Sequence, residues 1–205
     1  MVRKNNYLIQ AQMAKERFLT YNVQALIRKL SLKADESYIY VNLIAQPYRL
    51  SRPSGDLEKW ESGSWCDGNS YEEVMTLLDI LCDSRADRFL TGQWQNMQSF
   101  GLQFHQNLLE ESRDPFADAI DRDPALLHRA AEALGAEPIP GGDIGYAFPL
   151  FEQLKIGLLF WHSDEEFAPR IRYLWDCNAK QYIRYETMYF AVTLLRRRIR
   201  RLNHE

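Results

Sequence analysis

Apolar residues at Leu8, Ile9, Met13, Phe18, Val23, Leu26, Ile27 and Leu30 recur at spacings that mostly fit one helical face, predicting one long helix or two shorter ones over 5–30. The period then changes to two. Tyr38-Ile-Tyr-Val-Asn-Leu-Ile is rich in β-branched and aromatic residues and predicts a strand, with Ala45 to Ser51 returning as its partner before the Pro53-Ser-Gly55 turn. Pro47 predicts that this partner is an edge strand or a short one, because proline cannot donate to a ladder. The stretch from Gly55 to Ser70 is polar, contains glycine, and reads as a loop carrying Trp60 and Trp65. Ser70-Tyr-Glu-Glu has the spacing of a capping box and predicts a helix running through Leu81.

Farther along, Leu90 to Phe100 starts with a glycine turn and reads as a short strand or as an extended segment over a helix. Asp114-Pro and Asp123-Pro each place an acidic residue before a proline at a first helical turn, and the second helix stops at Gly135. A rigid turn at Pro138, Pro140, Gly141 and Gly142 leads into three extended runs, Ile144–Pro149, Lys155–Trp161 and Arg170–Trp175. A final helix is predicted from Tyr185 to Leu202. No repeat or low-complexity tract interrupts the order. The expectation is therefore one α+β domain over 1–205, a mostly antiparallel sheet with flanking helices, with an N-terminal helical segment over 1–32.

Composition narrows the function classes. The 205 residues carry 25 Lys and Arg against 28 Asp and Glu, a formal net charge of -3, which argues against a chain built to neutralise phosphates and so against nucleic acid as its main partner. Three cysteines, Cys66, Cys82 and Cys177, stand far apart and outside any Cys-x-x-Cys spacing; free thiols in a reducing cytoplasm are expected. The first ten residues lack the apolar run of a signal peptide, and no stretch has the length of a membrane span.

The densest chemistry lies between Gly141 and Asp176. Asp164, Glu165 and Glu166 follow a strand end, where carboxylates can hold a hard cation or a polar ligand, or can simply form a solvated acidic turn. His162 stands beside Trp161 and two residues before Asp164, placed to carry a proton or bind a metal, or to be an ordinary hydrogen-bonded residue; His105 can approach only through the tertiary fold. Ser163 between His162 and Asp164 carries no triad geometry by itself, and no Gly-x-Ser-x-Gly elbow is present. Cys66 can expose a thiolate or pack as a bland thiol. Gly141-Gly-Asp-Ile-Gly145 looks superficially like a phosphate cradle but lacks the following Lys and Ser or Thr of a P-loop; a turn needing positive φ explains it. Five arginines in the last turns, among them Arg196, Arg197, Arg200 and Arg201, suit a helix C-terminus and also offer a surface for nucleic acid or anionic lipid.

Leu90-Thr-Gly-Gln-Trp94, Gly141-Gly-Asp143, Phe148-Pro149, the Trp161-His-Ser-Asp-Glu-Glu-Phe167 block and Leu174-Trp-Asp176, with Tyr182 and Glu186 beyond, together resemble the prokaryotic domain-of-unknown-function family 3786. The resemblance runs from about Tyr38 to the end and is strongest after Gly141. It implies a bacterial or archaeal cytoplasmic protein, typically of anaerobes, from a family with no established activity. Some such relatives carry a cysteine-rich iron–sulfur motif, and this chain lacks that spacing. It also departs from the pattern at Ala168, which intervenes before Pro169, and at Gln93, where an acidic residue is common.

The favoured function is a small-molecule or cofactor-binding module whose pocket combines Gly142 and Asp143 with Trp161, His162, Asp164, Glu165 and Glu166, and Trp94 as a wall. The alternatives are a metal-dependent hydrolase using Asp164 and Glu165 as ligands, and an interaction protein using the arginine-rich C-terminal helix. The sequence leaves the cofactor and the oligomeric state open.

Overall fold

The structure, a computed structural model, describes residues 6–101 and 114–203. It is α+β with antiparallel strands, as the sequence predicts, and the strands divide between two five-stranded sheets. The chain falls into two compact units, one comprising residues up to Phe89 with Lys180–Ala191, the other Leu90–Ala179 with the residues from Val192 on.

In the first unit the N-terminal periodicity resolves into two helices, α1 (Asn6–Leu19) and α2 (Val23–Lys29). The Asn22 side chain accepts from the Ala25 amide and starts α2, which breaks the longer helix at its cap. Only part of the predicted apolar face is buried: Phe18, Leu26 and Leu30 are inside, whereas Leu8, Ile9 and Met13 are exposed. The sheet is a meander of β1 (Lys33–Ala34), β2 (Tyr38–Leu43), β3 (Gln46–Ser51), β4 (Leu57–Glu61) and β5 (Ser64–Asp67). Strand β3 is interior, between β2 and β4, not an edge. Pro47 is tolerated there because β4 pairs only with Tyr48, Arg49 and Leu50, so no ladder bond is asked of the proline on that side.

The expected loop between Gly55 and Ser70 is instead the hairpin of β4 and β5. Ser62 and Gly63, at φ 51° and 82°, make a two-residue turn whose twist suits the strands, and Trp60 faces Trp65 across it. Helix α3 (Tyr71–Asp83) starts with the full capping box: Ser70 Oγ accepts from the Glu73 amide while the Glu73 carboxylate accepts from the Ser70 amide. Burial alone would raise the Glu73 pKa; the Ser70 side chain, Lys59 and Tyr48 outweigh it and hold the carboxyl below its usual value. At the other end of α3, Lys29 Nζ donates to the carbonyls of Leu81, Cys82 and Ser84 at 2.8, 3.2 and 2.9 Å, satisfying acceptors that the helix cannot.

The second unit contains β6 (Trp94–Asn96), α4 (Pro115–Arg122), α5 (Ala125–Leu134), β7 (Glu137–Pro138), β8 (Ile144–Phe151), β9 (Leu154–Trp161) and β10 (Arg170–Asp176), with sheet order β6-β10-β9-β8-β7. The final helix, α6 (Tyr185–Arg201), begins in the first unit and contributes its residues from Val192 to the second. Phe116, Phe148, Phe160, Trp175, Leu195 and Ile199 are wholly buried. Asp114 caps α4 through the Phe116 amide and with its other oxygen takes Arg196 at 2.6 Å. Asp176, itself buried, accepts from the amides of Thr91, Gly92 and Asn178 and from the Thr91 hydroxyl.

Candidate functional site

Strand β9 ends at Trp161 and β10 begins at Arg170, so residues 162–169 form the connecting loop, which the sequence places there. Two carboxylates from elsewhere in the second unit fix its beginning. Asp143 donates its amide to the Phe160 carbonyl at 2.8 Å and accepts the His162 amide at 2.8 Å. Asp121, near the end of α4, accepts His162 Nδ1–H at 2.9 Å, the Ser163 amide at 3.2 Å and the Ser163 hydroxyl at 2.6 Å. The loop is thus tied to the β8 turn on one side and to α4 on the other.

The Gly141-Gly-Asp turn exists to let Asp143 reach this position. Gly141 and Gly142 have φ of 111° and 69°, and a Cβ on Gly142 would lie 2.6 Å from the Phe160 carbonyl oxygen. Its carboxylate is occupied by the loop, which makes the turn a structural tie and not a phosphate cradle.

His162 takes its carboxylate partner from Asp121, 41 residues upstream, and not from neighbouring Asp164. That acceptor fixes a proton on Nδ1 and leaves Nε2 as the nitrogen that can exchange one. Ser163, His162 and Asp121 include the residue types of a hydrolytic triad with the wrong connections. The serine hydroxyl donates to the aspartate instead of the imidazole, so the imidazole does not activate it as in a triad. Asp164 spends one oxygen within its own turn, accepting from the amides of Glu166 and Phe167 at 2.9 and 2.7 Å.

Between α4 and the loop lies a cleft of about 450 Å³, lined by Asp118, Asp121 and Arg122 on one side and Ser163–Pro169 on the other. Five carboxylates face it against one guanidinium. Phe167 is 68% exposed at its edge. The Ser163 hydroxyl, followed by His162, holds the Asp121 carboxyl below its ordinary range. A depressed carboxyl contributes its tie above the unfolded value of about 4 and loses it as pH falls through the lower folded value. The Ser163 amide, which donates to Asp121, should therefore lose this acceptor only as pH falls below about 4, and its resonance should move there. In Asp121→Asn it should lie displaced already at neutral pH. An unchanged resonance in that variant would remove Asp121 as the anchor.

The other expected site residues go elsewhere. Trp161 is covered by its own neighbours, with Arg170 and Arg172 4.7 and 5.4 Å from its ring. Trp94 pairs with Asp176, whereas Trp161 pairs with Arg170, so the two lie six residues apart along β10, roughly 20 Å. The Trp94 ring lies against Gly157 and does not wall the cleft. Gly142 and Asp143 support the loop from behind without lining the cleft. His105 lies outside the described residues. Among the described residues no group of three His, Cys, Asp or Glu side chains gathers to hold a metal ion, so Asp164 and Glu165 acquire no further ligand.

The C-terminal arginines are partly absorbed by packing. Arg196 bonds Asp114 and Tyr173, and its guanidinium stands 5.4 Å from the Phe116 ring; burial pushes the Tyr173 hydroxyl up to about 12. Arg200 is exposed but lies 5.2 Å from Phe116, and Arg197 and Arg201 are half-buried. All three cysteines are free; Cys66 lies on β5 and not in a loop, and burial pushes the Cys82 thiol up to about 11.

Fold and site define an α+β protein with antiparallel sheets and an acidic cleft beside a carboxylate-anchored loop. The model of the family described as domain of unknown function (DUF3786) matches residues 22–198, and the chain belongs to that family. The match begins upstream of Tyr38, taking in α2 and β1 and leaving α1 outside. No curated protein and no solved structure matches. Among the described residues no helix is long and apolar enough to cross a membrane.

Proposed function

We propose that this chain is a small-molecule-binding module of a prokaryotic cytoplasm, and that its ligand is a compact organic cation such as a polyamine, held in the cleft between α4 and the loop 162–169. The observation that carries this reading is the anchoring of the loop by Asp121. It places Glu165 and Glu166 opposite Asp118 on a pre-set frame, so that little ordering cost remains for a ligand to meet. An excess of carboxylates favours positive charge, and the exposed Phe167 ring offers a face for a cationic group. The three free cysteines fit a reducing compartment.

The metal-dependent hydrolase reading has less support, because Asp164 is bonded into its own turn and the Ser163 hydroxyl is bonded to Asp121. The arginine-helix reading is weakened by the pairing of Arg196 with Asp114.

Titration calorimetry with spermidine at low salt should give saturable binding with a Kd on the order of 10 to 100 μM. Glu165→Gln/Glu166→Gln, which spares the Asp164 turn, should weaken it about tenfold, equivalent to about 1.4 kcal/mol. Equal affinity in the variant, or heat that never saturates, would remove the cleft as the site.

A further inference from the structure

The outward face of the first unit's sheet carries a feature that the acidic cleft does not use. The register aligns Lys33, Tyr40, Arg49, Glu58 and Asp67 in one row across β1 to β5. Beside it, Asn42 faces Pro47 and Trp60 faces Trp65. Alternation puts these side chains opposite the core-facing Ile39, Val41, Tyr48 and Leu50, which are buried.

Charge and hydrogen bonding add to partial burial in holding the rings of Tyr38, Tyr40 and Trp65. The Tyr40 hydroxyl donates to Asp35 at 2.6 Å. Arg49 lies 4.2 Å from the Tyr38 ring and 4.7 Å from the Trp65 ring, and Trp60 meets Trp65 edge-on at 5.3 Å while remaining 43% exposed. A cleft of about 280 Å³ opens among Lys33, Tyr40, Asn42, Pro47 and Trp65. Half-buried, fixed rings beside a groove, with Trp60 exposed next to them, cost little ordering on binding.

We propose that this groove docks a proline-rich segment of another protein in the polyproline II conformation. Such a segment is a low-entropy rod with apolar ring faces and bare carbonyls, and aromatic-lined grooves are the surfaces that recognise it. Its carbonyls need donors, and the Trp65 indole N–H and the Asn42 side-chain amide bond no other described residue. Charge selects among ligands that stack on aromatic rings. In the row Lys33 and Arg49 stand against Glu58 and Asp67, and Arg49 is bonded to Glu58 at 2.7 Å, so its charge is spent on that pair and a polyanionic strand is disfavoured, while the exposed Asp67 offers a partner to a basic residue flanking the prolines.

The test uses the full chain with nitrogen-labelled indoles and a capped peptide of consecutive prolines flanked by arginines. The Trp60 and Trp65 indole resonances should shift and saturate at submillimolar peptide, and a control with glycine in place of each proline should not reproduce this. Trp65→Phe, which keeps a ring and removes the donor, and Trp60→Ala, which removes an exposed ring, should each weaken binding about tenfold while the variants stay folded by circular dichroism. Equal response to the glycine control, unchanged affinity in both variants, or saturation with oligothymidine or a glucose oligosaccharide but not with the proline peptide would each overturn the proposal. Because both tryptophans lie outside the acidic cleft, spermidine binding should be unaffected by either substitution.

Discussion

Asp176→Ala should destabilise the protein by about 4 kcal/mol, the largest single-residue effect expected here. The carboxylate is buried and accepts four donors, from Thr91, Gly92 and Asn178. Hydrogen bonds to a charged acceptor are each stronger than neutral ones, and truncation leaves the Thr91 and Gly92 amides without a partner. Asp176→Asn is nearly isosteric yet turns one acceptor into a donor facing donors, so it should recover less than half of the loss. Urea unfolding measures both variants, and hydrogen exchange at the Thr91, Gly92 and Asn178 amides locates the damage. A loss below about 1 kcal/mol would mean that water replaces the carboxylate at little cost.

Gly145→Ala should cost about 3 kcal/mol, for a steric reason. An added Cβ would lie 2.4 Å from the Ile139 carbonyl oxygen and 2.9 Å from that of Gly141, both backbone atoms that cannot swing aside as a side-chain end can. Relief requires the turn before β8 to move, and that turn carries Asp143, which holds the His162 amide. The substitution should therefore displace the His162 amide resonance as well as lower the urea midpoint. Normal stability with an undisturbed His162 would show that the turn is softer than these contacts imply.

The contrast between those two residues explains what the sequence could disclose. Elements with a strong local period and their own punctuation were legible: α3 carries Ser70 and Glu73 at its start, and β8 to β10 are apolar runs divided by glycine, proline or charge. The β4–β5 hairpin was not, because Glu58, Lys59, Glu61 and Asp67 dilute its alternation, and Ser62-Gly63 reads as loop when both flanking strands are polar. Pro47 misled for a related reason, since whether a missing amide matters depends on how far the neighbouring strand extends. At the site, the sequence located the acidic loop but not its anchor. Asp121 meets His162 across 41 residues through the placement of α4, and its only local sign is one carboxylate in a stretch that also carries Asp114, Asp118 and Asp123. Trp94 and Trp161 share a sheet yet stand at different ends of β10, a separation that only the register specifies.

The turn joining β2 to β3 has a consequence for how this sequence can change over generations. Ile44 and Ala45 both adopt φ near 50°, a conformation in which a β-branched side chain is strained and for which asparagine and glycine are the natural choices. Yet Ile44 is buried at 4% exposure, so its side chain also belongs to the core. Substitutions that relax the backbone there empty a packed site, and those that keep the packing keep the strain. Position 44 is thus caught between two selective pressures, and a lineage can improve the turn only if a neighbouring residue grows to refill the space.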